Sequence, residues 1–148
     1  MIKSLWRIRF TVIQSGHARN GEVVTLLDFG DRCDDDPAIE PTQGNAASAA
    51  IFQGNTSNFP LGAVTLNLSW TRYREAATNA AARNTALAEI SGFPWGLQGK
   101  ITIAIEGGST IDYARSAVLT MSPTYPKKSD VGAIHFTYTA ALGKPTTL

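Results

Sequence analysis

At 148 residues the chain has the size of one domain built around a single core, and residues 1–148 are expected to form one. Apolar residues make up 43% and charged residues 17%, which excludes a disordered chain and leaves a surface poor in charge, as if a partner covered part of it. Thirteen basic against twelve acidic side chains give a formal net charge of +1, too little to draw in a phosphate backbone or an anionic membrane, so neither sequence-specific nucleic-acid binding nor membrane association is expected.

The first element is a strand: Trp6, Ile8, Phe10 and Val12 alternate with Arg7, Arg9 and Thr11, the period that buries one face of a sheet and wets the other. Arg7 and Arg9 also break the apolar run that a signal peptide requires. A second strand is expected over Glu22 to Asp28, joined to the first by a turn ending in Asn20-Gly21, a pair suited to positive φ angles. Residues 31–60 contain Asp34-Asp35-Asp36-Pro37, Pro41, Gly44-Asn45 and Gly54-Asn55 with little periodicity, and read as a long loop or arm, with a short helix over Ala46 to Phe52. Loops beyond about 12–15 residues are uncommon in compact domains and tend to be functional or disordered, so this one is expected to be either mobile alone or ordered by neighbours.

Alternation returns from Ala63 to Thr71, where Val64, Leu66, Leu68 and Trp70 oppose Thr65, Asn67, Ser69 and Thr71. The spacing of Tyr73, Ala76, Ala77, Ala80, Leu87 and Ile90 then predicts a helix over 72–91, capped by Thr71, with Gly92 as a left-handed stop and Pro94 beyond it. Three further strands follow: Lys100 to Glu106, a longer one over Ile111 to Met121 with a bulge near Ala114 or Arg115, and a last one carrying Ile134, Phe136 and Tyr138. Ser122 to Asp130 reads as a surface loop and 143–148 as a frayed tail. The expected fold is mainly β (α+β): an antiparallel β-sandwich or half-open barrel of six to seven strands with one flanking α-helix. No window approaches the ~18 apolar residues of a membrane-spanning helix.

Signs of chemistry are sparse. Asp28 to Asp36 is rich in carboxylates, but its glycine and glutamate are not placed as a calcium loop needs, so a solvated acidic loop pairing with arginine of a neighbouring subunit is favoured over a metal site. Its Asp28-Phe29-Gly30 lacks the other motifs of a kinase. The lone Cys33 excludes an internal disulfide, fits a protein made in reducing cytoplasm, and would be a nucleophile only with a base such as His17 beside it. His17 and His135 are too few for a zinc site, and no catalytic motif or cofactor fingerprint is present, so no enzyme, metal or cofactor is expected. Trp70, Trp95, Tyr73, Phe93 and Tyr125 would serve a carbohydrate-binding module if they formed an exposed platform; Trp70, on an alternating strand, reads as core instead.

The stretch Ala117-Val118-Leu119-Thr120-Met121-Ser122-Pro123-Thr124-Tyr125-Pro126, followed by Asp130 through Thr139, resembles the ending of tail-tube and related tail proteins of tailed bacteriophages, where a strand closes in a Ser-Pro turn before a final alternating strand. The resemblance covers about a fifth of the chain. It implies a non-enzymatic virion structural protein, made in the host cytoplasm, whose subunits form rings, often hexameric, and contact other tail proteins. The expected contacts are Pro37, Ile39, Ile51, Phe52 and Phe59 in the arm, and Tyr125, Lys127 and Lys128 in the later loop. The alternative is a carbohydrate-binding β-sandwich module.

Overall fold

A computed structural model describes residues 2–43, 46–50, 56–60, 64–116, 119–124 and 132–142. In chain order the first strands are β1 (Ile2–Lys3), β2 (Trp6–Val12), β3 (Val23–Leu27), β4 (Arg32–Cys33) and β5 (Ala38–Gln43). They are followed by β6 (Ala46–Ala50), β7 (Thr56–Pro60), β8 (Val64–Glu75) and the helix α1 (Asn79–Gly92). The chain then forms β9 (Gly99–Ile105), β10 (Thr110–Ser116), β11 (Leu119–Thr124) and β12 (Ala133–Leu142). The architecture is a mainly β sandwich of two antiparallel sheets with one helix. One sheet runs β10-β9-β2-β3; the other runs β1-β4-β8-β12-β11, with β5 also paired to β8; β6 and β7 form a third, two-stranded sheet.

Alternation builds the core. Ile8, Phe10 and Val12 of β2 and Ile101 and Ile103 of β9 are buried from one sheet, and Leu68, Trp70, Ile134, Phe136, Tyr138 and Leu142 from the other. Each such side chain contributes about 1.5–3 kcal/mol by leaving water. Trp70 and Tyr138 stack with ring centroids 4.9 Å apart, the core position expected for this tryptophan. Where β3 passes β2 the register slips by one residue, so that Leu26 and Leu27 are both buried, which an unbroken pleat does not allow. Gly99 permits the close approach of β9 to β2: a Cβ there would overlap the Thr11 carbonyl oxygen and the Phe10 ring.

The expected first turn, the strands near 22–28 and 100–106 and the final strand are all present, and Gly21 has the positive φ anticipated for it. Five expectations are corrected. The helix starts at Asn79, because β8 continues through Glu75 with Arg72 at an inward position, and Thr78 caps it by accepting from the Ala81 amide at 3.1 Å. Gly92 is the last helical residue and is not left-handed; Arg19 instead satisfies the helix end, donating to the carbonyls of Gly92 (2.8 Å) and Phe93 (3.2 Å). Ile111 to Met121 is two strands in opposite sheets, with the bulge falling between Tyr113 and Ser116 as expected. The long loop over 31–60 holds β4 to β7, and Ala46–Ala50 is a strand where a helix was expected. Ser122 to Thr124 belongs to β11, while 125–130 and the tail 143–148 lie outside the described residues.

Candidate functional site

The feature least explained by folding alone is the segment between β5 and β8. Every residue from Pro41 to Thr71 is uncharged. β5 pairs with β8 from Ala38↔Ser69 to Gln43↔Val64, and β6 pairs with β7 from Ala46↔Pro60 to Ala50↔Thr56, so the chain runs out and back as a two-stranded ribbon. Neither β6 nor β7 pairs with any other described strand. A two-stranded ribbon is marginal in water by itself, and exposed edges in natural sheets normally carry charge to deter pairing. Among the described residues no third strand supports this ribbon, and its sequence carries no charge.

A second surface is the outer face of the sheet β5-β8-β12-β11. Asn67 and Ser69 of β8, Thr137 and Thr139 of β12 and Thr120, Ser122 and Thr124 of β11 are exposed there. The hydroxyls of Thr71 and Thr137 lie 3.3 Å apart, and those of Thr120 and Thr139 are also bonded, forming cross-strand hydroxyl rungs. Glu40, Asn67, Ser69, Thr139 and Ala141 line a shallow depression of about 320 Å³ on it. At one end His135 Nδ1 meets Asp34 Oδ2 at 2.7 Å, the His135 ring lies edge-on to Tyr73, and the Tyr73 hydroxyl donates to Glu75 at 2.6 Å.

Three carboxylates of the acidic stretch make contacts within the chain, and the arginine that pairs with it is Arg7 of the same chain, not one of a neighbouring subunit. Arg7 Nε donates to Asp28 at 2.6 Å and holds that carboxyl below the usual carboxylate range, Asp31 accepts from the Asp28 amide at 2.8 Å, and Asp34 faces His135. Among the described residues no cluster of His, Cys, Asp and Glu is arranged to hold a metal ion. Cys33 is fully buried, which pushes its thiol pKa up and disfavours the thiolate, and His17 sits in the exposed β2–β3 turn, where its Nδ1 accepts from the Arg19 amide. The two are not brought together as a nucleophile and base.

The sandwich interior holds an ion pair that sequence reasoning missed. Arg72, 4% exposed, donates to the Tyr138 hydroxyl at 2.7 Å and forms an ion pair with Glu89 of α1 at 3.1 Å, while Arg74 approaches the same carboxylate at 3.6 Å. Burial pushes the Tyr138 phenol up to about 12. The Arg72 Nε and the Trp70 Nε1 are buried and have no hydrogen-bond partner among the described residues. Glu89 also borders a cleft of about 380 Å³ between α1 and β3, walled by Val24, Leu26, Ala88 and Phe93.

Of the residues expected at subunit contacts, Pro37 is buried and Ile39 is half-buried against the core of its own chain, while Phe59 stands on β7 opposite Ala47. Ile51, Phe52, Tyr125, Lys127 and Lys128 lie outside the described residues. Trp95 is 46% exposed, but its indole nitrogen donates to the Ile90 carbonyl and its ring leans on Phe93 at 4.6 Å. The ribbon itself had a legible signal, the charge-free run from Pro41 to Thr71. No described helix is long and apolar enough to cross a membrane. No family model matches the chain, and a search of curated proteins finds none similar to it.

Proposed function

We propose that this chain is a non-enzymatic structural subunit that works by assembling with copies of itself, and that its place is in a virion, as a tail-tube or other tail-associated protein of a tailed bacteriophage. The observation that carries the assembly reading is the uncharged ribbon β6–β7, which pairs with no other described strand. A ribbon of this kind gains stability when its open backbone groups and apolar side chains are covered by another molecule. The hydroxyl-lined outer face of the larger sheet suits a wall that neighbours extend sideways, and a closed ring, hexameric in the tail-like form, removes the edges that a lone sandwich leaves open. Asp28, Asp31 and Asp34 of the acidic stretch serve contacts within the chain.

Sedimentation velocity over a wide concentration range, with electron microscopy of the heaviest species, tests this. Rings or ordered stacks are the expected result. A monomer at every concentration would refute the assembly reading, and an assembly lacking a ring would refute the tail-like form.

A further inference from the structure

We infer that the sandwich interior binds a small monovalent anion of halide size, received by the indole N–H of Trp70, the Nε–H of Arg72 and the hydroxyl of Tyr138. This site does not depend on the assembly reading.

Trp70 and Arg72 stand two residues apart on β8, so both side chains enter the core face of the sheet. They are 3% and 4% exposed, and the Trp70 Nε1 and Arg72 Nε have no hydrogen-bond partner among the described residues. Both converge on the fully buried Tyr138 of β12: the indole stacks on its ring at 4.9 Å, and Arg72 Nη2 donates to its hydroxyl at 2.7 Å. Having accepted that bond, the hydroxyl still has a hydrogen of its own to give. Three donors therefore gather about one ring, and neither indole nor guanidinium can accept in return. A buried donor left unmatched is costly, so the group that completes this patch is an acceptor.

Charge selects the kind of acceptor. Arg72 and Arg74 share the one carboxylate of Glu89, at 3.1 Å and 3.6 Å, which leaves a positive charge in excess. A monovalent anion cancels that excess, and the attraction is strong where water is excluded. A divalent anion would reverse the charge instead of cancelling it. A water molecule would bring two hydrogens into a place whose nearest groups are mainly donors, whereas a halide brings none. A path from solvent is present as well. Glu89 pairs with Arg72, the Phe93 ring lies 6.2 Å from that of Tyr138, and both residues wall the cleft of about 380 Å³ between α1 and β3.

The test unfolds the full-length protein in urea while sodium chloride replaces sodium gluconate at constant ionic strength, with chloride binding followed in parallel by broadening of the chloride magnetic resonance. A saturable rise in stability is expected, the folding constant growing about elevenfold when chloride reaches roughly ten times its dissociation constant. Excess bromide should remove the chloride broadening. Trp70→Phe keeps a ring for the stack but deletes the indole donor, and Tyr138→Phe deletes the hydroxyl. Each is expected to lose most of the saturable rise and of the broadening, whereas Arg83→Gln, at an exposed helix position, keeps both. Glu89→Gln adds to the local positive charge and is expected to shift the chloride midpoint to lower concentration. Stability in wild type that follows ionic strength alone, without saturation by chloride, overturns the anion site. So does a chloride effect that survives undiminished in a folded Trp70→Phe or Tyr138→Phe protein, or a midpoint that Glu89→Gln moves to higher concentration.

Discussion

Arg72 shows how one side chain can govern both the stability of the sandwich and the reading of its sequence. It lies at an inward position of β8, and its charge is compensated by Glu89 from the helix and by the Tyr138 hydroxyl. Removing one partner of a buried pair leaves the other charge uncompensated, so Glu89→Ala is expected to cost about 3 kcal/mol in a urea titration. Asp28→Ala, which breaks the solvent-exposed pair with Arg7, is expected to cost less than about 1 kcal/mol. Tyr138 gives the pair a pH signature. Its phenol is neutral in both states below pH 10; between the ordinary value of 10.0 and the folded value of about 12, only the unfolded chain ionises, so stability falls as pH rises through this window. In an ultraviolet titration, Tyr138→Phe is expected to remove the last phenol to ionise. None of this was legible beforehand, because Arg72 and Glu89 belong to different elements and nothing in their local patterns marks them as partners. Trp70, by contrast, was readable as core because its neighbours alternate cleanly.

The elements divide by how strongly their residues repeat. β2, β9 and β12 were visible because large apolar side chains recur at every second position. The end of β8 was hidden because polar Arg72 takes the place where the next inward apolar residue was expected, so the alternation seemed to stop and the alanines beyond it advanced the apparent helix start. β6 was hidden for the opposite reason: Ala46-Ala47-Ser48-Ala49-Ala50 is small throughout and shows no two-residue period. β10 and β11 looked like one strand since Ile111, Tyr113, Leu119 and Met121 keep the same parity while facing the core from opposite sheets. Two substitutions probe the elements as they stand. Thr78→Ala, which deletes the acceptor for the Ala81 amide, is expected to cost about 1 kcal/mol. Gly99→Ala forces β9 away from β2 and is expected to cost about 1–3 kcal/mol, both measurable by chemical denaturation.

For the whole molecule, the sandwich and its helix share one contiguous core, to which strands from both ends of the chain contribute. The ribbon takes no part in the two main sheets. Replacing 44–62 with a short turn is therefore expected to leave the melting temperature of the monomeric body nearly unchanged and to abolish self-association, as read by calorimetry and sedimentation. β8 joins the two parts: it leaves the ribbon at Val64 and then lies beside β12 through ten consecutive residue pairs, from Leu66↔Leu142 to Glu75↔Ala133. A pull on the ribbon, transmitted along β8, would strain these ladder bonds crosswise and together instead of unzipping them one at a time. The joint between arm and body is thus built to withstand tension, and single-molecule stretching applied through β6 or β7 should meet its main resistance there.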